Sequence, residues 1–163
     1  VLSKIEDIEA SFLAGLMHDV GILVLDNIIP TQYFNFLTLK DLSASDKPLE
    51  ALEQEEFDIA HPEVGAVFIK KWWALPPKVA LAAHKHHGEG PVKGEPLTLS
   101  QVVSTANRIA NMNAFTHPVN TGFEDLPAED YLDVLGITQE ELDVVVDTTV
   151  IGLMVAESLL RSA

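Results

Sequence analysis

The chain has 163 residues, 47% of them hydrophobic, with 10 basic side chains against 25 acidic ones and a formal charge of −15. That length suits one globular domain with its own core, and the charge opposes a phosphate backbone or an anionic membrane surface, which argues against direct nucleic-acid binding. With no cysteine there are no disulfides, no thiolate catalysis and no cysteine-held metal, so His, Asp and Glu are the metal ligands on offer, and a reducing cytosol fits.

The opening Val1-Leu2-Ser3-Lys4 has neither the charged start nor the apolar core of a signal peptide. No apolar stretch approaches the ~20 residues of a membrane span. Without an initiating Met, the chain reads as a piece of a larger cytoplasmic protein. Ile8, Phe12, Leu13, Leu16, Met17 and Val20 recur at helical spacing, which predicts a core-facing helix over residues 8–20, with Gly15 admitting a close neighbour. Its last turns carry His18 and Asp19. Ile22 to Ile29 is a second apolar stretch ended by Pro30, and Tyr33, Phe34, Phe36 and Leu37 restart the pattern. A turn over Asp41–Pro48 leads to an acidic helix, Leu49–Ile59. Pro62 at a first helical position, with Glu63 behind it, puts His61 at a helix junction. Val64, Val67, Phe68 and Trp72 mark the inner face of the next helix, with Trp72 and Trp73 read as core and turn, until Leu75-Pro76-Pro77 breaks it.

The following helix carries Val79, Ala82, Ala83 and His86 on one stripe and ends at Gly88-Glu89-Gly90-Pro91. Another runs from about Thr98 to Asn113 with Leu99, Val102, Val103, Ala106 and Ala110 inward and Asn107 near that face. Residues 114–127 form a long loop that holds His117, and a short helix spans 127–135 before Gly136. Thr138 with Glu141 caps a final helix whose predicted inner face is Leu142, Val145, Val146, Thr149, Leu153, Ala156 and Leu160. The β-branched run Val144–Ile151 also suits a strand, but its 3.6-residue periodicity and the lack of a partner strand favour helix. The expected fold is all-α, a compact multi-helix bundle in one domain.

Five of the six histidines fall into three separated groups. His18-Asp19 sets two metal-competent side chains in an apolar segment, where an ionisable pair needs a partner. Adjacent helical positions point about 100° apart, so both reach an ion between them, and imidazole with carboxylate suits Fe, Mn, Zn or Ni. A core histidine bonded to Asp19 satisfies the same pattern without metal. His61 is either a ligand aimed into a cleft or a capping residue. In His84-Lys85-His86-His87, the ligand candidates are His86 and His87, and His84 is a solvated or outer residue of the pocket; a basic cluster at a helix C-terminus is the alternative. Asn107 is either a buried amide serving the backbone or a neutral group where catalysis would want a carboxylate. No phosphate-cradling loop, nucleophile elbow or Ser-His triad is present.

Taken in order, Phe12-Leu13-Ala14-Gly15-Leu16-Met17-His18-Asp19-Val20-Gly21, His61-Pro62-Glu63-Val64-Gly65-Ala66, Trp73-Ala74-Leu75-Pro76 and Ala82-Ala83-His84-Lys85-His86-His87 resemble the HDOD family, the HD-related output domain. Leu99 to Ala110 and Leu135-Gly136-Ile137-Thr138 resemble its later helices. The resemblance covers nearly all of residues 1–163 and implies the central and C-terminal part of that domain, its first helices absent. It implies a helical fold akin to the HD and HD-GYP metal phosphohydrolases, whose ligands match His18, Asp19, His61, His86 and His87. The chain departs from those enzymes in three ways: Thr105-Ala106-Asn107 stands where they have alanine then aspartate, no histidine precedes His18, and Gly88-Glu89-Gly90-Pro91 only echoes the Gly-Tyr-Pro loop.

Losing an anionic ligand weakens the hold on a divalent ion and on a metal-activated water. The resemblance therefore implies a bacterial signal-transduction domain without catalysis, acting on other signalling proteins or domains. Its degenerate pocket would take a divalent metal or a nucleotide-type ligand, and a homodimer is one arrangement open to it. The alternative is a metal-dependent phosphohydrolase acting on a nucleotide or cyclic nucleotide, with the same five residues holding metal. A helical dimerisation unit with purely structural histidines is the third.

Overall fold

The computed structural model describes residues 7–88, 90–113, 115 and 129–161. Helices α1 (Ile8–Met17) and α2 (Val20–Ile28) form one apolar stretch broken at His18-Asp19. Asp7 caps α1 by accepting the Ala10 N–H at 2.9 Å. Pro30, with its fixed φ and missing N–H, opens α3 (Pro30–Leu39). A 3-10 turn, Leu42–Ala44, leads to α4 (Leu49–Phe57), which stops where Asp58 turns left-handed at φ 56°. Then come α5 (His61–Phe68), a π-helical turn (Ile69–Trp73), α6 (Pro77–Lys85) and α7 (Leu99–Met112), whose start is closed by a capping box of Thr98 and Gln101. Short α8 (Glu129–Leu135) and long α9 (Gln139–Arg161) are separated by Gly136 at φ 66°. The box predicted for α9 is formed: Glu141 Oε2 accepts the Thr138 N–H at 2.8 Å and Thr138 Oγ1 accepts the Glu141 N–H at 3.2 Å. No strand occurs among the described residues, so Val144–Ile151 is helical. His117 and, apart from Phe115, the loop predicted over 114–127 lie outside the described residues.

Helix α5 packs against α2 and α6, α6 against α7, and α1 against α6 and α7. One core joins Ala14, Met17 and Val20 to Ile69, Val79, Ala80, Ala82, Ala83 and Val103; a second gathers Leu25, Tyr33, Phe36, Leu42, Leu49 and Val64. The α2–α5 crossing depends on glycine. A Cβ at Gly21 would lie 1.9 Å from the His61 carbonyl oxygen and 2.8 Å from the Gly65 nitrogen. The close neighbour expected at Gly15 is not there, since nothing lies within 4 Å of a Cβ at that position; Gly21 admits it instead. This approach seats the start of α5, and with it His61, on the His18-Asp19 turn.

Several faces differ from expectation. Helix α1 buries Ala10, Ala14 and Met17, while Ile8, Phe12 and Leu16 are exposed. The helix has a small-residue stripe as well as a large one, and packing against the alanines of α6 selects the small one, because it lets the backbones approach. Val67, Trp72 and Trp73 are also exposed, and Ile69 is buried. The π turn adds a residue to the helical repeat there and rotates the tryptophans outward. On α7, Ala106 is exposed and Val103, Ser104 and Thr105 face inward, where Ser104 Oγ–H donates to the Gly88 carbonyl. Helix α9 buries Leu142 only; Val145, Thr149, Leu153, Ala156 and Leu160 are exposed, and no described element packs closely along it. Finally, Ile8–Ile28 taken as one stretch is long and apolar enough, by length and composition, to cross a membrane, contrary to the sequence expectation. In the structure that stretch is the packing partner of α5, α6 and α7.

Candidate metal centre

Three chain junctions build the site. His18 and Asp19 form the turn between α1 and α2, His61 is the first residue of α5, and His86 and His87 follow the last residue of α6. One ligand atom each from Asp19, His61, His86 and His87 lies within 4.8 Å of all the others. His61 Nε2 is 3.2 Å from His87 Nε2 and 3.4 Å from His86 Nε2. Asp19 Oδ1 is 3.1 Å from His86 Nε2 and 3.5 Å from His61 Nε2. A tetrahedron with metal–ligand bonds of about 2.1 Å has edges of about 3.4 Å, so this spacing fits a single divalent ion.

The protons point to the same conclusion. His61 Nδ1–H donates to Glu53 Oε2 at 2.6 Å, and His86 Nδ1–H donates to the Ala83 carbonyl at 2.7 Å. Both partners only accept, so in each neutral ring the proton is on Nδ1 and Nε2 carries a lone pair. In their neutral forms the two rings therefore turn lone pairs toward each other across 3.4 Å. A cation at the centre turns that repulsion into coordination. His18 lies just outside the group of four. Its Nδ1–H donates to the Gly15 carbonyl at 2.6 Å and its Nε2 meets Asp19 Oδ2 at 3.2 Å, a contact that calls for a proton on His18 or a metal between them.

Behind the ligands stands a buried relay. Glu53, fully buried, accepts from the His61 ring through Oε2, from the His61 backbone N–H at 2.8 Å, and from Tyr33 O–H through Oε1 at 2.5 Å. A carboxylate on the far nitrogen of a ligating histidine fixes its tautomer and makes it a stronger donor. Sequence reasoning took the acidic helix as a whole and missed Glu53. The available signal was position: Leu49, Glu53 and Phe57 share one stripe of α4, so a carboxylate interrupts an apolar face.

Charge within the site is uneven. Burial works against ionisation of Asp19, but the His18 and His86 imidazoles, in the form that carries a proton on Nε2, hydrogen-bond to the carboxylate and attract it, outweigh burial and hold the carboxyl far below the usual range. Burial also opposes protonation of His18; the Asp19 hydrogen bond and charge, with the Gly15 carbonyl, overcome it and raise that imidazole. At His86 burial prevails and lowers the pKa. At His87 burial, reinforced by His86 and His61, pushes it down to about 2. Burial raises Glu50, whose Oε2 lies 3.6 Å from His87 Nε2.

Two further candidates lie at the edge. His84 is exposed and does not join the cluster; with Glu50, Glu63, Lys85 and His87 it lines a cleft of about 810 Å³ beside it. Asn107 is half-buried on α7. It shares a helical side with Ser104 and Arg108, which both donate to the Gly88 carbonyl, and no hydrogen bond joins it to the four among the described residues.

Comparison with curated proteins and with solved structures returned no match. The HDOD domain model matches residues 2–89, more than half of the chain and the stretch that supplies every donor of the cluster, and the chain belongs to the HDOD domain family.

Proposed function

We propose that this signalling, HD-related domain holds one divalent cation, Fe, Mn, Zn or Ni, between Asp19, His61, His86 and His87, and acts by contacts with other signalling proteins rather than by turnover. The observation behind this is the convergence of three imidazole Nε2 atoms on one carboxylate oxygen, two of those imidazoles having their tautomer set by Glu53 and Ala83. A bound divalent cation supplies Lewis acidity and lowers the pKa of a bound water. Two-metal hydrolysis needs two ions roughly 3.5–4 Å apart. Among the described residues there is one such group of four, and by its sequence resemblance the chain has the neutral amide Asn107 at the position of a late carboxylate ligand. Contacts with partners, or with a second copy, have apolar surface to use in Ile8, Phe12 and Leu16 of α1. The charge of −15 disfavours nucleic acid and anionic membrane surfaces as partners, and a bacterial cytoplasmic setting is part of the proposal.

The cleft beside His87 favours a second reading, since its volume of about 810 Å³ is within the range of small-molecule pockets. A nucleotide-type ligand would fit there, as substrate of a phosphohydrolase or as effector. Metal analysis of protein purified without chelators, with phosphodiesterase and phosphatase assays in added Mn or Fe, separates the two. One metal per chain without turnover is expected. Turnover that disappears in His86→Ala would establish the enzyme instead.

A further inference from the structure

The four-ligand group leaves one nearby polar atom unexplained. Glu50 sits one turn before Glu53 on α4, so the two carboxylates project from the same side of the helix. Glu53 is fully used by Tyr33 and His61, whereas Glu50 Oε2 is shut away from solvent and has no hydrogen-bond partner. His87 Nε2 lies 3.6 Å from it, too far for a hydrogen bond. A buried carboxylate oxygen without a donor is costly, and such an atom in a native structure calls for an unseen partner such as an ion. The separation of 3.6 Å from His87 Nε2 is close to the spacing of two atoms bound to one metal, while Glu50 lies outside the group of four whose donor atoms are all within 4.8 Å of one another, so it joins them by a small inward turn of its side chain.

Resting on the assignment of the cluster as a metal site, we propose that Glu50 is a fifth protein ligand of the same cation, bound through Oε2 on the His87 side. Asp19 then approaches from the His86 side and Glu50 from the His87 side, so two carboxylates balance the charge of a divalent ion. Three imidazoles with two carboxylates exceed the four ligands usual for structural zinc and suit an ion of higher coordination number, such as Fe(II), Mn(II) or Ni(II). Because Glu50 also lines the cleft, it occupies the coordination position that a substrate or water arriving from there would need.

The test uses Co²⁺ as a spectroscopic probe on the chain as given, with affinity from calorimetry and coordination number from the intensity of the visible bands. The parent should bind one Co²⁺ with the weak bands of five- or six-coordination. Glu50→Ala should bind about 10- to 100-fold more weakly, at least the loss seen when an outer partner is removed, and show the stronger bands of a four-coordinate ion. Glu50→Gln keeps the shape of the side chain and decides the matter by the same criteria if the alanine variant fails to fold. Glu63→Gln, on the same cleft, should change neither readout. Unchanged affinity and spectrum in the Glu50 variants would overturn the fifth-ligand assignment alone, as would an equal loss in Glu63→Gln. A parent that binds no Co²⁺, Mn²⁺ or Zn²⁺ would overturn the metal centre itself and this proposal with it.

Discussion

His61 and His86 present their Nε2 lone pairs to each other across 3.4 Å, each having committed its Nδ1 proton to a different acceptor. In the neutral rings that arrangement is repulsive without a cation, so metal should stabilise the fold as well as fill the site. A ligand at one hundred times its Kd adds about 2.7 kcal/mol to the unfolding free energy. Urea denaturation with and without Mn²⁺ or Zn²⁺ should show an increment of that order, and His61→Ala should abolish it. An equal increment in the variant would mean that the ion binds elsewhere.

Tyr33 and Glu53 tie the site to the second core. Tyr33→Phe leaves Glu53 Oε1 buried without its donor, at a cost of about 1–3 kcal/mol. Because Oε2 still receives the His61 ring, metal affinity should change little. Glu53→Gln acts on that ring instead and should lower metal affinity by about 10- to 100-fold. Stability and affinity measured on both variants should therefore separate; parallel losses would contradict the division of labour between the two oxygens.

Acidification should destabilise the metal-free protein. His86 and His87 are held below the usual imidazole value of about 6.5, so the unfolded chain takes up protons that the folded one refuses. Their contribution is present above that value and is lost as pH falls through it. His18 and Glu50 are raised and work the other way, favouring the folded form at lower pH, but the His87 shift is the largest of the four. Asp19, held low, contributes throughout this window. With chelator present, stability at pH 5.5 should be below that at pH 7.5, and His87→Gln should flatten the difference. A parent that is more stable at pH 5.5 would contradict the sign.

Gly21→Ala should weaken fold and site together. Its Cβ would meet the His61 carbonyl oxygen and the Gly65 nitrogen, both backbone atoms that cannot swing aside. Overpacking of this kind costs about 1–3 kcal/mol or more, and it forces α5 away from the His18-Asp19 turn. Gly15→Ala, where the space is open, should be neutral or slightly stabilising. Thermal melts of the two variants make the comparison direct.

Helix types could be read from the chain because period and punctuation agree: Pro30, Pro62 and Pro77 open helices, and the Thr138–Glu141 box opens α9. Which side faces inward was harder to read. Helix α1 has two apolar stripes, and choosing between Phe12 and Ala14 needs the alanines of α6, which are far away in sequence. Trp72 could not be placed without the π turn, which nothing in its composition announces. At the site, the types of His61, His86 and His87 marked them as donors, and the structure places them together with Asp19. Glu53 and Glu50 escaped notice because an acidic helix is ordinarily a solvated one, and only the fold distinguishes the two inward carboxylates from Glu55 and Glu56, which pair with Lys47 and Lys40.

Each donor of the central four belongs to the end of a helix: Asp19 between α1 and α2, His61 opening α5, His86 and His87 closing α6. Helix ends swing farther than helix middles when neighbours tilt, so a grip made of ends depends steeply on interhelical angle. An occupant there clasps three segments that are otherwise joined by loops, apolar packing and the Lys78–Asp7 ion pair between α6 and the start of α1. A partner that pries α6 from α5 loosens the clasp, and by reciprocity an ion that enters resists the prying.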